Sequence, residues 1–135
     1  MNTKAKILIV DDEEVVRLSY VRIFAGSNCD VEAVCTGMQA VQLLQKDPFD
    51  VVLLDLRMPE MDGMTVLRAL KQHWPDSEVI IITGYPTIES AKEAVTLGAY
   101  DYLTKPVGPE QVIDATRGAM LHKQWALHSD AGSQA

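Results

Sequence analysis

The sequence predicts a doubly wound α/β domain, a parallel sheet with helices on both faces. Short unbroken apolar runs at Ile7 to Val10, Val51 to Leu54 and Val79 to Ile82 have the character of strands covered on both sides. Helix-periodic stretches separate them. Strand starts fall roughly 20 to 28 residues apart, which leaves room for a strand, a helix and two short loops. Right-handed crossovers then wind five βα units into one sheet.

The five expected strands are Ile7 to Val10, Asp30 to Val34, Val51 to Leu54, Val79 to Ile82 and Tyr100 to Leu103. The first helix carries Val15, Leu18, Val21 and Ile23, with Asp12 as its expected cap and Tyr20 and Phe24 packing it. Met38, Val41 and Leu44 mark the second. Met64, Leu67 and Leu70 mark the third, which opens after Gly63 and closes before Trp74-Pro75. Ile88, Ala91, Val95 and Leu97 mark the fourth, ended by Gly98. Pro109 suits the first position of the fifth, which runs through Val112, Ile113 and Thr116. Met38, Met64 and Met120 are expected core filler.

The 135 residues fit one domain with a real core, taken as residues 1–128, and 129–135 read as a disordered polar tail. Ile113, Met120 and Leu127 recur every seven residues beside Trp125. That pattern fits either a frayed helix end or a helix continuing toward an effector domain or a second chain. Twelve Lys and Arg against nineteen Asp and Glu give a charge of −7, which opposes direct binding of nucleic acid by this segment. Apolar runs of four residues are too short for a membrane span or the core of a secretory signal. Cys29 and Cys35 make no disulfide framework, so both read as reduced thiols in a cytoplasmic protein.

In a doubly wound sheet, ligands bind beyond the carboxyl ends of the strands. Those ends carry Asp11 and Asp12, Asp55, Thr83 and Lys105. Taken singly, each has a plain reading: a helix cap, a turn former, an ordinary strand residue, a surface charge. Their shared position on one rim is what points to chemistry. Clustered carboxylates repel unless a cation joins them, and a hard divalent ion with oxygen ligands answers that need. A carboxylate can attack phosphorus and form an aspartyl phosphate, while positioned positive charge and donors stabilise the transferring group. Asp55 is the best nucleophile because it directly follows an apolar strand.

These stretches resemble the receiver domain of two-component response regulators. The matching segments are Ile7-Leu8-Ile9-Val10-Asp11-Asp12-Glu13, Leu54-Asp55-Leu56-Arg57-Met58-Pro59-Glu60-Met61-Asp62-Gly63, Ile82-Thr83-Gly84-Tyr85 and Gly98-Ala99-Tyr100-Asp101-Tyr102-Leu103-Thr104-Lys105-Pro106. The resemblance covers about residues 5–122, and Thr83 to Pro106 looks most like the receivers of NtrC-like sigma-54 activators. It implies a CheY-like, flavodoxin-like sheet in the order 2-1-3-4-5. It further implies Asp55 as the phosphorylated residue. The metal ligands would be Asp11, Asp12, Asp55 and the backbone carbonyl of Arg57, holding Mg²⁺ or Mn²⁺. Thr83 and Lys105 would bind the phosphoryl oxygens, Thr83 and Tyr102 would act as the switch, and Arg57 and Tyr85 would tune the lifetime of the phosphate. The implied donor is a sensor histidine kinase or phosphotransfer protein, and the receiver would catalyse its own phosphorylation and dephosphorylation. The fourth helix, fifth strand and fifth helix form the face that commonly dimerises or docks an effector in this family.

Other readings fit less well. A haloacid dehalogenase-type phosphatase needs a second acid two residues after the nucleophile, where Arg57 stands. A nucleotide or flavin binder needs a glycine-rich loop after the first strand, where acidic residues stand instead. A DNA-binding protein needs a helix-turn-helix region and a more basic surface.

Overall fold

A computed structural model describes residues 4–56 and 62–133, with side chains described as far as residue 124. The elements alternate throughout: β1 (Ala5–Val10), α1 (Glu14–Phe24), β2 (Cys29–Val34), α2 (Gly37–Lys46), β3 (Val51–Leu54), α3 (Gly63–His73), β4 (Glu78–Thr83), α4 (Ile88–Leu97), β5 (Asp101–Thr104) and α5 (Pro109–Ser133). The sheet is parallel, in the order β2-β1-β3-β4-β5. Five units are therefore doubly wound as the spacing predicts, with each strand placed within a residue or two of its apolar run.

The pleat sorts the central strands into two cores. Ile7, Ile9, Val51, Leu53, Ile80 and Ile82 pack against Tyr20 and Phe24 of α1 and Val112, Ala115 and Ala119 of α5. Leu8, Val10, Val52, Leu54, Val79 and Ile81 pack against α2, α3 and α4 through Ala40, Leu44, Leu67, Leu70 and Ala94. Each fully buried Leu, Ile or Val contributes roughly 1.5–3 kcal/mol over its exposed state. That two-sided burial is why these strands read as unbroken apolar runs.

The helices correct several expectations. In α1 the buried stripe is Val16, Tyr20, Ile23 and Phe24, at i, i+4, i+7 and i+8, while Val15, Leu18 and Val21 face outward. Its N-cap is Glu13, without a side-chain cap bond, rather than Asp12. Met38 is exposed, because the inner stripe of α2 runs through Gly37, Ala40 and Leu44. Ile88 and Val95 are exposed on α4, whose sealed position is Ala94. Gly98 ends α4 at φ 99°, a left-handed conformation that an L side chain rarely adopts. The α5 backbone is helical to Ser133. No proline follows Pro109, and Ala131 favours helix. The side chains of Trp125 and Leu127 lie outside the described residues.

At the amino ends of the strands, polar and charged side chains fasten α5 to the sheet. Lys123 Nζ lies 2.5 Å from Asp50 Oδ1, and the other Asp50 oxygen accepts the Lys6 N–H at 2.8 Å. His122 pairs with the buried Glu78, which Lys71 also approaches at 3.8 Å. The opposite, carboxyl rim is thus left as the place where the loops come together.

Candidate functional site

Parallel register brings the strand ends together. Val10 of β1 pairs with Leu54 of β3, so the next residues, Asp11 and Asp55, emerge side by side. Backbone bonds extend the ladder past the strands. Asp55 N–H donates to the Val10 carbonyl at 3.0 Å, and Asp11 N–H donates to Val34 at 3.2 Å. On the other side, Thr83 pairs with Thr104, and Lys105 N–H donates to the Thr83 carbonyl at 2.7 Å. The four strand-end positions singled out by the sequence therefore share one rim.

Asp11 is 2% exposed and Asp55 5%, while Asp12 stands in solvent. One ligand oxygen from each of the three lies within 4.8 Å of the others. Such burial of two carboxylates needs positive charge or donors nearby. Lys105 supplies the charge, with its Nζ 2.9 Å from Asp11 Oδ2, 3.7 Å from Asp55 Oδ2 and 4.0 Å from Glu13 Oε1. The second Asp11 oxygen accepts the Glu13 N–H at 2.9 Å, and Arg17 Nη1 donates to the Asp11 carbonyl at 2.8 Å. Burial pulls the Lys105 ammonium down, but the Asp11 hydrogen bond and the charges of Asp11 and Asp55 more than offset this, leaving its pKa above the usual value.

Thr83 is fully buried, and its hydroxyl accepts the Tyr85 N–H at 3.1 Å. Tyr102 is half-buried on β5, and its hydroxyl lies 2.5 Å from Ser90 Oγ of α4. Tyr85 is 67% exposed. Arg57 lies outside the described residues, so its expected carbonyl ligand and its side chain have no place in this geometry.

Several neighbours of the site escape a reading of strand ends. Glu13 and Arg17 contribute through the first turn of α1. Tyr20 lies one turn further on and beside Lys105. Burial pushes its phenol from 10.0 up to about 12, with Lys105 opposing the rise and Asp11 and Asp55 adding to it. Arg17 and Tyr20 come six and nine residues after Asp11, on a helix returning over the same rim, which is the available sequence signal. Gly63 is fixed by contact: a Cβ there would meet Leu56 Cα at 2.4 Å and the Asp55 carbonyl at 2.7 Å.

Residues 7–117 match the response regulator receiver domain family. The chain belongs to that family. The receiver is 42% identical to the regulatory protein AtoC of Escherichia coli K12 over 101 residues, covering 75% of this chain and 22% of AtoC. It is 33% identical to the DNA-binding transcriptional regulator NtrC of the same organism over 118 residues, covering 87% of this chain and 25% of NtrC. The chain thus spans about a quarter of the length of each of these relatives. The response regulator receiver domain protein of Methanospirillum hungatei JF-1 superimposes with a TM-score of 0.89 at 25% identity, covering 92% of this chain and 99% of that one. These relatives accord with the NtrC-like character of Thr83 to Pro106. The CheY-like sheet order implied by the resemblance is the one observed.

The donor set also fits a metal. Asp11, Asp12 and Asp55 offer only hard carboxylate oxygens, and two of the three are sheltered from water. No helix of the described residues is long and apolar enough to cross a membrane.

Proposed function

We propose that this receiver is a phosphorylation switch whose acceptor is Asp55. The carrying observation is the convergence of Asp11, Asp12 and Asp55 within 4.8 Å, with the Lys105 ammonium beside them. Asp11, Asp12 and Asp55 would hold Mg²⁺, with Mn²⁺ able to replace it, and the Arg57 carbonyl would complete the set. When bound, the ion neutralises the phosphoryl oxygens and polarises phosphorus.

The donor is a phosphohistidine on a sensor kinase or phosphotransfer protein. An Asp55 carboxylate oxygen attacks phosphorus, and an O–P bond forms as the P–N bond breaks. The electron pair of that bond leaves with the imidazole, which takes a proton from water. Lys105 then exchanges part of its contact with Asp11 for a phosphoryl oxygen, and the Thr83 hydroxyl turns from Tyr85 N–H toward another. Both gain partners only in the phosphorylated state, which is the differential contact that a two-state switch requires. Tyr102 follows the vacated Thr83 space. Water attack on the same phosphorus returns Asp55 to its carboxylate.

Signal output belongs to whatever the receiver controls. The curated relatives support a transcriptional regulator, with DNA bound by a part of the protein other than this segment, acting in the cytoplasm. Exposed Ile88 and Val95 support α4, β5 and α5 as the face that dimerises or docks an effector.

Incubation with Mg²⁺ and acetyl phosphate, followed by intact mass measurement, tests the acceptor. A phosphoryl adduct is expected that disappears in Asp55→Asn and in metal-free protein. An adduct that persists in Asp55→Asn would move the chemistry to another residue.

A further inference from the structure

We propose that Ser90 is a positioning residue that sets the resting place of Tyr102 by tying its hydroxyl to the N-terminal cap of α4. The inference rests on the assignment of Asp55, Thr83 and Tyr102 made above, and adds a residue outside that group.

Thr87 is the N-cap of α4, and Ser90 closes a reciprocal box with it. Ser90 N–H donates to Thr87 Oγ1 at 3.0 Å, and Thr87 N–H donates to Ser90 Oγ at 3.3 Å. The Ser90 hydroxyl also reaches the Thr87 carbonyl at 3.1 Å. Tyr102 enters this box from β5. Its hydroxyl lies 2.5 Å from Ser90 Oγ and 3.4 Å from Thr87 N. Ser90 O–H can donate to the Thr87 carbonyl while Ser90 Oγ accepts the Tyr102 O–H, with Thr87 Oγ1 a further 3.0 Å neighbour of the same oxygen.

The box is four residues from the switch hydroxyl. Thr83 Oγ1 holds Tyr85 N–H at 3.1 Å, and Pro86 then leads directly to Thr87. Moving Thr83 toward a phosphoryl group releases Tyr85 and disturbs the cap that holds Tyr102. Moving Tyr102 costs its bond to Ser90. Ser90 therefore weights the equilibrium toward the unphosphorylated arrangement, and a chain without this hydroxyl reaches the other arrangement more easily. A Ser90 that only capped α4 would stabilise the helix without reference to Tyr102.

The test titrates beryllofluoride, with saturating Mg²⁺, into the full chain and into Ser90→Ala, Ser90→Thr, Tyr102→Phe and the Ser90→Ala/Tyr102→Phe pair. Ser90→Ala is expected to bind beryllofluoride about fivefold more tightly, the effect of losing one hydrogen bond, with unchanged affinity for Mg²⁺ alone. Ser90→Thr, which keeps the hydroxyl, is expected to behave as the parent. In the Tyr102→Phe background the Ser90→Ala effect should vanish, because the bond is already gone. An undiminished effect in that background would reduce Ser90 to a helix cap, and unchanged affinity in Ser90→Ala would overturn the proposal. A parent chain that binds no beryllofluoride would refute the Asp55 assignment first, and this inference with it.

Discussion

Lys105 Nζ stands 2.9 Å from Asp11 Oδ2, so the half-buried ammonium and the buried carboxylate neutralise each other across the rim. The pair occupies the space where a divalent ion and a phosphoryl group would need the same charges. Lys105 is thus both a stand-in counter-ion for Asp11 and a competitor of any metal that binds there.

Replacing Lys105 with Met should therefore act in opposite directions on binding and on chemistry. Mg²⁺ affinity should rise about fivefold, since a like charge no longer faces the entering ion. Phosphorylation by acetyl phosphate should slow roughly a hundredfold, the scale of losing one positioned donor. Without metal the variant should be less stable, because the buried Asp11 loses the ammonium paired with it, and added Mg²⁺ should restore more stability than in the parent. Calorimetry and thermal unfolding with and without Mg²⁺ check this, and weaker Mg²⁺ binding would contradict it.

The alkaline limb of stability should carry a signature of Tyr20. Its folded pKa, about 12, lies above the unfolded value of 10.0, so the folded state holds its proton more tightly. That contribution is complete below 10.0 and is lost as pH rises through about 12. Lys105 is shifted upward as well, so its contribution also fades at alkaline pH. Unfolding free energy of the metal-free protein should fall with rising pH in this window, by about 2 kcal/mol from Tyr20. Tyr20→Phe should make the fall shallower. Urea unfolding across the range, with ultraviolet titration of tyrosinate, measures both, and an unchanged slope would remove Tyr20 from the account.

The sequence made strands and strand ends legible because two-faced burial leaves unbroken apolar runs, and because parallel register forces Asp11 beside Asp55. It misjudged helix faces for a different reason. Val15 and Leu18 are as apolar as Val16 and Ile23, and only three-dimensional packing says which stripe turns inward. Long-range polar partners were equally hidden. Nothing in composition joins Ser90 to Tyr102, twelve residues apart, or Lys123 to Asp50, 73 apart. Such pairs depend on how two elements return past one another.

Tyr85 should govern how long the phosphate persists. It stands two residues after Thr83 with its side chain 67% exposed, and Arg57 stands two residues after Asp55. Both are bulky enough to obstruct water approaching in line with the Asp55–phosphorus bond. Tyr85→Ala and Arg57→Ala should each hasten loss of the aspartyl phosphate a few-fold, with Mg²⁺ affinity preserved. Decay of the phosphoryl adduct by intact mass follows this directly. If neither variant changed the hydrolysis rate, steric shielding would be the wrong account.

Gly63 should prove irreplaceable for a reason independent of backbone angle. It opens α3, and its N–H donates to the Leu56 carbonyl at 3.0 Å, drawing the helix start onto the bend at Leu56, next to Asp55. A methyl group there would sit 2.4 Å from Leu56 Cα and within 3 Å of the carbonyls of Asp55 and Leu56, all backbone atoms with no rotamer to yield. Gly63→Ala must therefore push α3 away or displace the Asp55 turn. Overpacking of this kind costs about 1–3 kcal/mol, so a lower urea midpoint is expected. Phosphorylation should slow in the variant molecules that remain folded, since the displaced turn holds Asp55, the proposed acceptor. A variant of parental stability and parental rate would show that the turn is softer than its contacts imply.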